Sequence, residues 1–227
     1  MAVALCAAIA ALAVLSLLGL IFEFGLGRDH VKGFVPMFRL SMERNVPTVF
    51  STLLLFSLSG VLFLVGEGAR ARKDSRAAQW RALAVIALLL AFDEGGHIHE
   101  LLDEETAWIE WLIEPSGAFA WPWVIAYACL TVAVSLFFLP LFLSLPTRYR
   151  VIFGTAAALF VSGALGLDML EAQAFDAGRS PLLIEALCSL EEVMEMSAVA
   201  IALCGLAAYA EETFGWRRVA FLGDQPA

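Results

Sequence analysis

This sequence is short of histidine, and of basic side chains relative to acidic ones. Lys and Arg number 14 against 23 Asp and Glu, leaving a net charge of −9, and there are three histidines. So acidic a balance argues against nucleic acid as a partner. Cysteine is scarce too: Cys6, Cys129, Cys188 and Cys204 stand singly inside apolar runs with no C-x-x-C pair. That argues against a disulfide framework or zinc ribbon, and each cysteine reads as a small buried hydrophobe. No flavin, haem or nucleotide signature is present. His97 and His99 are near neighbours on one segment, and His30 falls in a loop, so a pair of axial haem ligands is missing. Charge of either sign is low, at 16% of residues, while 61% are hydrophobic and mean hydropathy is +0.82. Soluble domains are about 25% charged and about 45–50% apolar. The chain therefore reads as an integral membrane protein.

The long apolar runs give an all-α bundle of about six transmembrane helices, over about 1–22, 46–67, 80–102, 118–145, 151–172 and 182–210. About 20 residues cross a hydrocarbon core of roughly 30 Å. The expectation is a single membrane domain over 1–227, with 211–227 as a short cytoplasmic tail. The first run lacks the basic start of a signal peptide and reads as a retained helix. Asn45 and Pro47 open the second span, with proline in the first turn, where its missing N–H costs little. Between these two spans, Val35-Pro36-Met37-Phe38-Arg39-Leu40 reads as an interfacial segment, and Glu23 and Glu67 as inexpensive span-end charges. Trp108, Trp111, Trp121 and Trp123 cluster as an aromatic belt. Six spans place both termini on one side. With that side cytoplasmic, the inner connections hold Arg70, Arg72, Lys73, Arg76, Arg81, Arg148, Arg150, Arg217 and Arg218, and the outer ones only Arg28, Lys32, Arg39, Arg44 and Arg179. The positive-inside rule favours this orientation.

The functional signal is Phe92-Asp93-Glu94-Gly95-Gly96-His97-Ile98-His99-Glu100, where ionisable groups end an otherwise apolar span. Intramembrane ionisable residues are functional candidates by default. At ~1.5 Å of rise per residue from the cytoplasmic ends, Asp93 lies ~18 Å deep, Glu100 ~28 Å, Asp168 ~27 Å, Glu195 ~21 Å and Glu191 ~27 Å. Three helices thus bring their buried charges to one level, the outer half of the membrane. Asp93, His97 and Glu100 share a face at i, i+4 and i+7, as do Glu191 and Glu195 at i, i+4. Asp168 and Glu171 also share a face, but Glu171 reads as lying near the outer interface, and so does Glu185. Gly95-Gly96 admits a close neighbouring helix. So many carboxylates together need shared protons or a cation. Oxygen and imidazole ligands suit iron, manganese or zinc. Glu94-x-x-His97 also has the Glu-x-x-His spacing of di-iron carboxylate bundles. The expected metal ligands are Glu94, His99, Glu100, Asp168, Glu191 and Glu195. Asp93, His97, Glu192, Glu43 and Asn45 stand behind them as orienting groups or alternative ligands.

Glu43-Arg44-Asn45-Val46-Pro47-Thr48 with Ser51, then Asp93, Glu94, Ile98, His99 and Glu100, then Gly163-Ala164-Leu165-Gly166, then Leu190, Glu191, Glu192, Glu195 and Met196 resemble four ordered motifs. These are E-x-N-x-P-T…S, D-E…I-H-E, G-A-L-G and L-E-E-x-x-E-M, of a family of uncharacterised bacterial multi-span membrane proteins. The resemblance covers about 38–210. It implies a bacterial inner-membrane location and adds Glu43 and Asn45 as residues facing the cluster. Asp168 stands where the family pattern has Glu, Ser197 where it has Gly, and His97 has no counterpart.

Three functions fit. One is a buried metal site, of one or two metals, acting on a lipid-soluble small molecule such as a quinone or lipid. Another is a non-catalytic accessory subunit of a larger respiratory or photosynthetic membrane complex, its polar cluster fastening helices together. The third is a proton or cation carrier, against which the cytoplasmic half offers no matching polar trail.

Overall fold

A computed structural model describes residues 1–96, 116–121 and 123–216, and their regular elements are all helical. The eight α-helices are α1 (Ala2–Leu20), α2 (Phe34–Phe38), α3 (Val46–Ala71), α4 (Ala77–Gly96), α5 (Trp123–Ser144), α6 (Thr147–Val161), α7 (Asp168–Asp176) and α8 (Pro181–Phe214). A π-helical turn, Ile21–Gly25, extends α1, and another, Ser162–Leu167, joins α6 to α7. Five helical stretches are long and apolar enough to cross a membrane: Ala2–Gly25, Val46–Ala71, Trp123–Ser144, Thr147–Asp176 and Pro181–Phe214. α4, expected as the third span, is not among them over its described length. It carries Arg81, Asp93 and Glu94 within 20 residues, and the expected continuation through 97–102 lies outside the described residues.

Small residues set how these helices meet. α3 and α4 run antiparallel. Gly66 faces Trp80 and Arg81 at one end, Gly95 faces the Thr52 side chain at the other, and between them Ser59 Oγ donates to the Ala84 carbonyl at 2.8 Å. α6 and α8 also run antiparallel, with Gly205 against Ile152 and Gly163 against the Glu191 carbonyl and the Glu195 side chain. Between lipid-soluble helices the hydrophobic effect gives little preference for a neighbour, so close backbone approach of this kind holds a membrane bundle together. α8 is the common partner, touching α1, α3, α6, α7 and the second π-turn. At one end of the bundle Trp80, Tyr149, Leu206 and Ala210 form an apolar core, with the Tyr209 ring tilted against Trp80 at 5.4 Å. Further along, Leu12, Leu55, Ala91, Met196 and Leu203 join α1, α3, α4 and α8.

The segment between α1 and α3, expected at the interface, folds back onto the bundle. Val35 and Leu40 are buried, Gly19 admits Val35, and Leu40 N–H donates to Ser16 Oγ at 3.1 Å. Asn45 fixes this loop. Its Oδ1 accepts from the Thr48 amide at 3.1 Å as the N-cap of α3, with Pro47 in the first turn. Its Nδ2 donates to the carbonyls of Arg39 at 2.6 Å, Met42 at 2.8 Å and Pro36 at 3.3 Å. Losing the cap costs ~1 kcal/mol, and orphaned carbonyls add ~1–3 kcal/mol. Asn45→Ala is therefore expected to destabilise the detergent-solubilised protein by about 2–3 kcal/mol in thermal unfolding. Asn45→Asp keeps the cap acceptor without the donors and should fall in between. If Asp matches wild type, the carbonyl contacts contribute nothing.

Candidate functional site

The acidic residues gather at the end of the bundle where α4 stops and α8 starts. α4 contributes Asp93 and Glu94, α7 contributes Asp168 and Glu171 at i, i+3, and α8 contributes Glu191, Glu192 and Glu195. The charges acting most strongly on Glu195 are those of Glu192, Glu94, Asp168 and Asp93, and on Glu191 those of Asp168, Glu171 and Glu195. Carboxylates from three helices therefore share one region. The second π-turn makes this possible: its i→i+5 winding brings Gly163 against α8, where a Cβ would sit 3.3 Å from Glu195 Cγ and 3.4 Å from the Glu191 carbonyl. Single π-turns of this kind recur at functional sites.

One close group within the cluster includes two residues the sequence did not single out as ligands. Among the described residues, Glu171, Cys188 and Glu191 bring one ligand atom each to within 4.8 Å of one another. Glu171 is buried, at 2% exposure. Its Oε2 accepts a hydrogen bond from Cys188 Sγ at 3.0 Å, while its Oε1 is buried with no hydrogen-bond donor among the described residues. Cys188 is more than a small hydrophobe, since it sits three residues before Glu191 on the same face of α8. That i, i+3 spacing was the available signal. His97, His99 and Glu100 lie outside the described residues. Glu43 is exposed in the loop before α3, and Asn45 is taken up by the loop and cap contacts described above.

A second charged constellation adjoins the first. Arg39 is buried, at 7% exposure, between two helices. Its Nη1 donates to Glu23 Oε2 at 2.5 Å, its Nε donates to Glu185 Oε2 at 3.0 Å and to Ser41 Oγ at 3.0 Å, and its Nη2 pairs with Glu185 Oε1. The Ser41 hydroxyl donates to Glu185 Oε2. Burial works against the guanidinium charge, yet its hydrogen bonds and proximity to Glu185 and then Glu23 outweigh that and hold its pKa above the ordinary arginine value. Glu23 and Glu185 are thus partners of a buried cation as well as span-end charges. A lone arginine inside V-P-M-F-R-L was the clue. Glu185 stands one turn before Cys188 and acts electrostatically on both Cys188 and Glu171, so the two constellations are coupled through α8.

Two apolar clefts lie elsewhere. One of about 560 Å³ runs between α4 and α5, along Val85, Ile86, Val134 and Phe137. The other, about 260 Å³, lies between α1 and α8 and is lined by Ser16, Leu17, Leu40, Ser189 and Val193. Neither is lined by the clustered carboxylates.

No curated protein and no solved structure matches the chain. A family model described as a domain of unknown function (DUF8692) matches residues 2–210. Nearly the whole chain is covered by that match, and the protein belongs to this family of domains of unknown function.

Proposed function

We propose that this is a six-span protein of the bacterial inner membrane, a single domain with both termini cytoplasmic, whose acidic cluster in the outer half of the bilayer binds a divalent metal ion. The observation that carries this reading is the meeting of Asp93 and Glu94, Asp168 and Glu171, and Glu191 and Glu195 from three helices. Carboxylates so placed must share protons or bind a cation, because their mutual repulsion is poorly screened away from water. Glu94, Asp168, Glu191 and Glu195 serve as ligands, with His99 and Glu100 following on the same chain segment. Asp93, His97 and Glu192 orient them, as outer hydrogen-bonding groups do in metal sites. The metal is iron, manganese or zinc, by ligand type. A lipid-soluble molecule is the substrate class that reaches such a site without leaving the membrane.

Metal content measured by plasma mass spectrometry on detergent-purified protein tests this. Near-stoichiometric iron, manganese or zinc is expected in the wild type, falling about tenfold or more in an Asp168→Asn, Glu191→Gln variant. No bound metal in the wild type, even after incubation with each ion, would overturn the reading. The cluster would then be a proton-sharing fastener, as an accessory subunit of a larger complex would need.

A further inference from the structure

We propose, building on the metal reading, that Glu171, Cys188 and Glu191 are three ligands of one centre, and that the thiolate selects a borderline cation such as Zn2+, Fe2+ or Co2+ over Mg2+ or Ca2+. The three ligand atoms already lie within 4.8 Å of one another. In a tetrahedral zinc site, bond lengths of about 2.0–2.3 Å put ligand atoms about 3.5 Å apart, so modest side-chain rotation closes the set. A separate observation points at a ligand: Glu171 is 98% buried (2% exposed), and its Oε1 has no donor among the described residues. An oxygen of Glu191 lies within 4.8 Å of one of Glu171. The Cys188 thiol serves Glu171 Oε2 alone, the buried Oε1 is left without a donor among the described residues, and a cation completes the set.

The backbone supplies the geometry. Cys188 and Glu191 are one turn apart on α8, and Glu171 comes from α7, which the π-turn at 162–167 brings alongside. Cys188 and Glu191 are only partly buried, which leaves a route for the ion. Hard cations such as Mg2+ and Ca2+ take oxygen ligands, whereas thiolate favours zinc and other softer ions. Binding deprotonates Cys188, and the thiol proton is released to solvent as the metal–sulfur bond forms.

Cobalt(II) is the probe, because a thiolate ligand gives it a near-ultraviolet charge-transfer band that oxygen ligands do not. Full-length protein in detergent is titrated with CoCl2 while absorption and cobalt stoichiometry are recorded. The expected result is about one cobalt per chain with that band in wild type. The band should persist in a Cys6→Ala, Cys129→Ala, Cys204→Ala variant and vanish in Cys188→Ser, which keeps its cobalt with weaker affinity. Glu171→Gln should weaken binding roughly 10–100-fold, at least the cost of losing an outer partner. Stoichiometric cobalt without the band in wild type, or a band that survives Cys188→Ser, overturns this assignment while the metal reading stands. The wild-type spectrum decides this even if a variant misfolds. Absence of bound cobalt, zinc, iron and manganese removes both.

Discussion

Arg39→Leu is expected to destabilise the protein by about 3 kcal/mol, the low end of the 3–5 kcal/mol seen when one partner of a buried ion pair is removed. The low end applies because Glu23 and Glu185 keep about a fifth of their side-chain surface exposed (23% and 21%), against 8% for Arg39. The loss is large because two carboxylates at once lose their counter-charge, and Ser41 loses one of its hydrogen-bonding partners. Stability would be read as thermal unfolding in detergent. A charge-free version, Glu23→Gln, Arg39→Leu, Glu185→Gln, should recover more than half of the lost stability, since an apolar or neutral set of similar shape often replaces a buried ion pair at little cost. A triple variant as unstable as Arg39→Leu alone would assign the effect to the packing of the arginine stem, and the electrostatic account would fail.

Gly205→Ala is expected to destabilise by about 2 kcal/mol, although alanine is the better helix former by about 1 kcal/mol. The sign is decided by space. A Cβ on Gly205 would lie 2.5 Å from Ile152 Cγ2 and 3.3 Å from Phe153 Cε1. Ile152 is β-branched and stiff at χ1 within a helix, so it cannot swing away cheaply. α6 and α8 must then move apart. Replacing Ile152 by Ala removes the offending methyl, so the double variant should be more stable than the sum of the two singles by about 1–2 kcal/mol. Gly60 on α3 is the control: nothing lies within 4 Å of its added Cβ, so Gly60→Ala should gain about 0.5–1 kcal/mol. Strict additivity of Gly205→Ala and Ile152→Ala would mean that the helices do not meet there.

These two sites differ in how far the sequence announced them. Long apolar runs locate α1, α3, α5, the α6–α7 stretch and α8 within a few residues, because length and hydropathy suffice to mark them. The cap at Asn45 with Pro47 is equally local. Asp168, Glu191 and Glu195 stand out because helical spacing and axial rise are known in advance. The triad of Glu23, Arg39 and Glu185 does not, since its members are separated by 16 and 146 residues. Sign and depth of charge do not name a partner. Glu171 is hard to aim from sequence for a different reason. Direction is read by counting along an ideal α-helix, and the π-turn at 162–167 rotates everything after it. Cys188 then acquires its meaning only from the arrival of Glu171, because a thiol in an apolar run carries no directional signal of its own.

The groove beside α5 has a consequence for what counts as the molecule. α5 rests on its neighbours through Phe138, Leu141 and the Gln79 side-chain bond to the Phe137 carbonyl, while Leu130, Val132, Leu136, Leu139 and Leu143 point away from the described protein. The 560 Å³ space between α5 and α4 is walled by aliphatic and aromatic groups, and water gains nothing there. In a bilayer, a space with such walls is one that acyl chains can enter, pressing on both helices from the sides. Lateral confinement by lipid then does for α5 what interdigitating side chains do for α8. The order of this edge becomes a property of protein and solvent together, so acyl-chain length and unsaturation are structural variables for this helix as surely as any residue on it.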